Sequence, residues 1–168
     1  MAEIRSLSKL ELPKVQELAH LIWPIAYKEI LSQEQLDYML NWMYSINSLE
    51  QQLLDGHQYF GIYDQNEMLG FLDIQLNHPF ESEMKVNKIY VLTNQQGKQL
   101  GYQLMIHAID FAKMHHMKSI SLQVNRHNKA FEFYKKIGFI IREEKDFSIG
   151  NGYYMNDYVM ELNLLLFV

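Results

Sequence analysis

No cysteine occurs among the 168 residues of the chain, which excludes disulfide frameworks, thiolate metal sites and cysteine nucleophiles together. Also missing is any apolar run near the roughly 20 residues that a membrane-spanning helix needs. The opening, Met1-Ala-Glu-Ile-Arg-Ser, carries an acidic residue and none of the continuous apolar stretch of a secretory signal. These features predict a soluble, cytoplasmic protein with no membrane partner. There is no basic excess: the formal net charge is -5, which argues against a nucleic-acid partner and mildly favours cationic ones. Low-complexity stretches, internal repeats and Pro/Gly/Ser-rich linkers are absent. With 48% hydrophobic residues, residues 1–168 are expected to form a single domain around one core.

Periodicity supplies the organisation. Residues 3–6 read as a brief edge strand. Residues 12–27 read as a helix, with Val15, Leu18, Ala19 and Ile22 on one stripe and Pro13 in its first turn. Further helices are expected over 33–43 and 48–54, with Gly56 stopping the latter. From Gln58 the period changes, and an antiparallel hairpin is expected to turn at Asp64-Gln-Asn-Glu67. A strand over 86–92 leads to a long helix over 99–116. That helix has Leu100, Leu104, Ala108 and Ala112 on one row and Met105 and Ile109 on the next. Residues 119–124 alternate as a strand, 128–137 form a short helix closed by Gly138, and strands follow at 139–141 and 158–164. This order indicates an α/β (α+β) fold around a mixed sheet, because the hairpin demands antiparallel pairing.

The most informative segment is Lys88-Ile-Tyr-Val-Leu-Thr-Asn-Gln-Gln-Gly-Lys-Gln-Leu-Gly-Tyr-Gln-Leu104, a β-branched strand that runs through a polar turn into an amphipathic helix. The first N–H groups of a helix lack partners inside it and carry partial positive charge, so a pyrophosphate can be held there by backbone alone. Gly97 and Gly101 would let phosphate oxygens approach closely.

Gln96-Gly97-Lys98-Gln99-Leu100-Gly101 resembles the Gln/Arg-x-x-Gly-x-Gly/Ala signature of the GCN5-related N-acetyltransferases, with Gln99 standing where the signature has its middle glycine. The block Leu122-Gln-Val-Asn-Arg-His-Asn128-Lys-Ala130-Phe-Glu-Phe133-Tyr134-Lys-Lys-Ile-Gly138-Phe139 resembles the family's strand, Asn, Ala-x-x-x-Tyr, Gly-Phe block. The tail from Ser148 to Met160 looks like the closing hairpin of the bacterial polyamine-acetylating branch. The resemblance implies a mixed, mainly antiparallel sheet with a central splayed strand pair and helices on both faces. It implies acetyl-coenzyme A as cosubstrate and an amine as acceptor.

Carried onto this chain, the resemblance implies that Gln96, Gly97, Lys98, Gln99, Leu100, Gly101 and Tyr102 hold the pyrophosphate. Ile89, Tyr90 and Val91 would offer backbone groups to pantetheine and to the thioester carbonyl, Asn128 would contribute to coenzyme binding, and Tyr134 would protonate the departing thiolate. The attacking amine must first lose a proton, since only about one lysine-like amine in a few thousand is neutral at pH 7. Polyamine-acetylating relatives often place a Glu four residues before the strand's Val. Here that position is Asn87, which can orient a water, so Glu83, Asp73 and His78 become the substitutes for a base. Acceptor candidates are the aromatics Trp23, Tyr27, Tyr38, Trp42 and Tyr44 on one side and Tyr153 and Tyr154 on the other, with Glu29, Glu34 and Asp37 adding negative charge. No metal is expected, because His107, His115 and His116 lack a carboxylate at matching helical spacing.

The reading is therefore an N-acetyltransferase acting on a small cationic amine such as a polyamine. Two alternatives stand beside it: a protein or peptide N-acetyltransferase, and a non-catalytic coenzyme A sensor, motivated by Gln99 and Asn87. The apolar end, residues 164–168, extends the last strand or meets a second subunit, and a homodimer is expected.

Overall fold

The computed structural model describes residues 2–166. Seven strands hydrogen-bond in the order β1-β2-β3-β4-β5-β7-β6: β1 Glu3–Ser6, β2 Gln58–Asp64, β3 Glu67–Gln75, β4 Glu83–Val91, β5 Ser119–Asn125, β6 Ile140–Gly150 and β7 Tyr153–Asn163. The helices are α1 Leu12–Ala26, α2 Gln33–Tyr44, α3 Ile46–Leu54, α4 Leu100–Met114 and α5 Ala130–Ile137. Every expected element is present, and the sheet is mostly antiparallel, with β4 and β5 the parallel pair. The chain divides into two compact units. One runs to Gln75 and takes in Asn87–Ala108; the other comprises Leu76–Val86 and the chain from Ile109 onward.

In the first unit, Ser32 caps α2 by accepting from the Gln35 N–H at 3.2 Å, and Ser45 does the same for α3 through Ser48. Helix α3 ends in a Schellman arrangement: the Gly56 N–H reaches Leu53 O at 3.3 Å and the His57 N–H reaches Gln52 O at 2.9 Å. Gly56 makes this possible with φ +96°. The β2–β3 hairpin turns through Gln65 and Asn66, both at positive φ, as a two-residue type I′ turn does. Strand β3 is buried along Met68–Ile74, so its sequence shows an apolar run over 68–72 instead of alternation, followed by the buried Asp73. Trp23, Tyr27, Tyr44, Phe71 and Tyr90 form its aromatic core, with Trp23 and Tyr27 centroids 4.5 Å apart.

In the second unit, the β4–β5 ladder covers residues 83–86 opposite 119–122 and stops there. The β6–β7 hairpin is far longer than the sequence suggests, 11 residues on each side, closed by an Asn151-Gly152 turn. Its outer strand carries Arg142, Glu143, Glu144, Lys145 and Asp146, a charge run that hides a strand from pattern reading. On an edge strand such charges deter unwanted pairing. At the apolar end Leu164 is buried, whereas Leu165 and Leu166 are exposed beyond the end of β7. Phe167 and Val168 lie outside the described residues. Among the described residues no helix is long and apolar enough to cross a membrane.

Strand β3 approaches β4 so closely that a Cβ on Gly70 would fall 2.6 Å from Tyr90 O and 3.2 Å from the Val91 Cα. Both obstacles are backbone, so neither can swing aside. Gly70→Ala is expected to destabilise the protein by about 1–3 kcal/mol, read as a lowered thermal midpoint; an unchanged midpoint would show that β4 yields without strain.

Candidate active site

The polar turn expected to bind phosphate lies between β4 and α4. Gln96 follows a single 3-10 turn and its N–H reaches Thr93 O at 3.3 Å. Gly97 and Gln99 both take left-handed φ, +88° and +61°. Gln99 thus keeps a backbone conformation that suits glycine, at a cost on the order of 1–2 kcal/mol for a side-chain-bearing residue. Its carbonyl accepts from the Gln103 N–H at 3.0 Å, opening α4. From residues 97 to 102 no backbone N–H has a protein acceptor among the described residues. A Cβ on Gly97 would meet nothing within 4 Å, and residues 96–99 are exposed. Lys98 reaches back to Gln95 Oε1 at 2.8 Å. A row of unpaired donors at a helix start, with open space before it and no acidic side chain on residues 96–102, fits a pyrophosphate.

Beyond Val86 the residues of β4 make no ladder with β5. Ile89, Tyr90 and Val91 are half-buried, and the Tyr90 hydroxyl lies 2.8 Å from that of Tyr27.

Asn87 sits in a polar cluster that the sequence does not announce. Asp73, with a fully buried side chain, accepts from Lys88 Nζ at 2.8 Å and from His57 Nδ1 at 2.8 Å to each oxygen. Lys88 also donates to Gln52 Oε1 at 2.7 Å and to the Tyr59 hydroxyl at 2.9 Å, and Tyr59 donates to Gln52. Asn87 Nδ2 donates to Gln75 Oε1 at 3.1 Å and approaches Asp73 Oδ1 at 3.4 Å. Burial pushes the Asp73 carboxyl up, but the Lys88 charge, followed by the His57 interactions, outweighs it and holds the group below its ordinary value. The Tyr59 phenol is held far above its ordinary value, first by burial and then by the Asp73 charge.

Of the other expected bases, Glu83 is buried in an ion pair with Arg142 and accepts from the Ser121 hydroxyl at 2.9 Å. His78 donates its backbone N–H to Glu83 O at 2.9 Å. In the second unit Tyr134 on α5 is buried between the rings of Phe133 and Phe139, at 5.3 and 5.9 Å. The Asn128 side chain accepts from the Ala130 N–H at 2.9 Å, which starts α5.

Among the acceptor candidates, Trp23, Tyr27 and Tyr44 belong to the aromatic core. Tyr38 stacks on the half-exposed Trp42 at 6.4 Å, Tyr153 is half-buried and Tyr154 is exposed. Glu29, Glu34 and Asp37 are exposed. No group of three or more His, Asp or Glu able to hold a metal occurs among the described residues. The residues that sequence reading missed are His57, Lys88, Tyr59 and Gln52. They come from four different elements or their ends, and no spacing within the chain joins them.

Residues 27–162 match the family model for the Acetyltransferase (GNAT) domain. The chain is 25% identical to a spermidine N(1)-acetyltransferase of Thermoplasma acidophilum over 95% of both chains. Among solved structures it resembles the PaiA N-acetyltransferase of Thermoplasma acidophilum in complex with coenzyme A, with TM-score 0.83, 24% identity and 97% and 99% of the two chains covered. It also resembles the ribosomal-protein-S18-alanine N-acetyltransferase of Escherichia coli, with TM-score 0.75, 18% identity and coverage of 98% and 94%.

In the second unit one carboxyl is perturbed by burial. Burial pushes the Asp157 carboxyl up to about 6, against the downward pull of the Gln123 amide at 3.3 Å and of Arg126 and Lys85. The folded state therefore favours the protonated acid, a contribution present at low pH and lost as pH rises through about 6. Asp157→Asn is expected to be more stable than the parent at ~pH 8, by up to about 3 kcal/mol, with the difference gone near ~pH 4. Urea unfolding of both proteins across that range checks it, and a difference independent of pH would refute it.

Proposed function

Because the chain belongs to the GNAT acetyltransferase family and is an acetyl-coenzyme A-dependent N-acyltransferase, we propose that it acetylates a primary amine of a small cationic molecule, a polyamine being the best-supported class. The donor half of this reading is carried by one observation, the run of unpaired backbone N–H groups over residues 97–102 at the start of α4. The acceptor half is supported by the likeness to the spermidine N(1)-acetyltransferase along 95% of both chains.

Acetyl-coenzyme A, when bound, supplies an activated acyl carbon and a thiolate leaving group. On this reading Gln96, Gly97, Lys98, Gln99, Leu100, Gly101 and Tyr102 bind the pyrophosphate, chiefly through backbone donors that cost no reorganisation. The residues of β4 without a β5 partner, Ile89, Tyr90 and Val91, offer main-chain groups to the pantetheine arm and the carbonyl. Asn128 has one side-chain oxygen engaged at the start of α5 and keeps its amide N–H₂ for the coenzyme. Tyr134 donates its phenolic proton to the departing sulfur; its burial between two phenylalanine rings limits the orientations of the ring. For the acceptor, the half-buried Tyr38 and Tyr153 offer aromatic faces, with the acidic Glu34 and Asp37 on the same helix as Tyr38. Trp23 and Tyr27 are buried in the aromatic core and back the site from there.

The test is thiol release from acetyl-coenzyme A with polyamines, amino acids, aminoglycosides and short peptides. Turnover is expected with polyamines, and Tyr134→Phe is expected to lower kcat by roughly 10²–10³-fold while the coenzyme Kd stays within a few-fold. Turnover on peptides alone would move the acceptor to protein N-termini. Coenzyme binding without turnover on any amine would favour the sensor.

A further inference from the structure

We infer that His57, oriented by Asp73, is the general base that removes the proton from the acceptor's ammonium group, with Asn87 positioning that group. The inference rests on the acetyl-transfer reading above and supplies the step that reading leaves without a residue.

Four observations within the first unit carry it. The His57 ring is directed by one bond on each side of its Cα. Its backbone N–H is fixed to Gln52 O by the Schellman turn, and its Nδ1 lies 2.8 Å from both Asp73 oxygens. An ionised carboxylate accepts only, so Nδ1 carries the hydrogen, and in the neutral ring the lone pair therefore lies on Nε2. Nε2 has no hydrogen-bond partner among the described residues, and the side chain retains 14% of its surface in contact with solvent while that of Asp73 retains none. Lys88 pins the carboxylate from the other side, so Asp73 orients the ring and cannot itself reach an acceptor.

Asn87 completes the arrangement. Its Nδ2 lies 3.3 Å from the His57 Nδ1, which already bears a hydrogen, so the amide donates instead to Gln75 and Asp73. Its Oδ1 accepts no hydrogen bond among the described residues and is available to an N–H of an incoming ammonium. Asn87 lies on β4 at the first residue past the β5 ladder, two positions before Ile89.

The proton inventory closes. An N–H bond of the ammonium breaks and an Nε2–H bond forms, leaving an imidazolium against the Asp73 carboxylate. The freed lone pair makes the C–N bond as the C–S bond breaks and Tyr134 gives its proton to the sulfur; the second proton, shed by the acylated nitrogen, restores the Tyr134 phenol through solvent, and the imidazolium returns the first to water. The charged and titratable groups around the ring are Asp73 from β3, Lys88 from β4 and Tyr59 from β2. Asp55, at the end of α3, accepts from the Gln51 side chain at 3.0 Å.

The experiment compares the intact protein, His57→Asn and His57→Ala on spermidine across pH. His57→Asn keeps an N–H for Asp73 and removes the ring acceptor. Its kcat/KM at neutral pH is expected to fall by roughly 10²–10³-fold, with coenzyme A affinity and thermal midpoint close to the parent. The loss should shrink about tenfold per pH unit as the free amine fraction rises, and millimolar imidazole should restore activity to His57→Ala. If His57→Asn unfolds at assay temperature, imidazole rescue of His57→Ala in the cold decides the matter. Parent-like kcat/KM in His57→Asn, or a loss that neither alkaline pH nor imidazole relieves, would overturn the role of His57 while leaving acetyl transfer in place. An intact protein silent on spermidine would overturn the polyamine reading, and this inference with it.

Discussion

The buried contact between Asp73 and Lys88 is the constraint on which the first unit turns. Neither side chain is appreciably exposed, and taking two ions out of water costs several kcal/mol each unless their remaining donors and acceptors are satisfied. Here they are, by His57, Tyr59 and Gln52. The consequence is geometric more than energetic. Strands β2, β3 and β4 and the end of α3 all contribute to one network, and any shift of β4 would leave a charge unpaired in the interior. Removing either partner alone is expected to cost about 3–5 kcal/mol for that reason.

A fixed β4 matters because much of the site is main chain. The donors at residues 97–102 and the residues of β4 past Val86 owe their availability to what the backbone does not bond to. Left-handed residues at Gly97 and Gln99 turn the chain so that α4 begins with its N–H groups exposed. Gln99 shows that this turn is imposed by the surrounding structure, since a glutamine holds a conformation that glycine would take at less cost.

The two units divide the work differently. The first carries the polar turn before α4 and the largely buried cluster around Asp73, whose behaviour depends on burial. In the second, Glu83 on β4 pairs with Arg142 on β6, and Asp157 on β7 is desolvated without a full charge partner. Three carboxylates, Asp73, Glu83 and Asp157, thereby acquire separate behaviours: one locked by a lysine and a histidine, one paired to an arginine, one held toward its protonated form.

Local chemistry settled a large part of this protein in advance. The stripe on α1, the two rows on α4, the stop at Gly56 and the turn at Gln65-Asn66 are short-range patterns, and the elements they mark are present. The polar turn before α4 was legible for the same reason, because a helix start and its unpaired amides are properties of consecutive residues. Strand β6 was not, since a charged edge strand has the composition of a loop and is specified only by its pairing with β7. The cluster around Asp73 was least legible of all. His57 and Asp73 are 16 residues apart and Gln52 and Lys88 are 36 apart, and nothing in either neighbourhood marks them as partners. Short-range sequence patterns settled most of the helices and strands and where a helix start leaves its amides unpaired. The pairing of a buried charge with its counter-ion, and with it the open face of one histidine, was decided only when the sheet brought distant side chains into a region from which water is excluded.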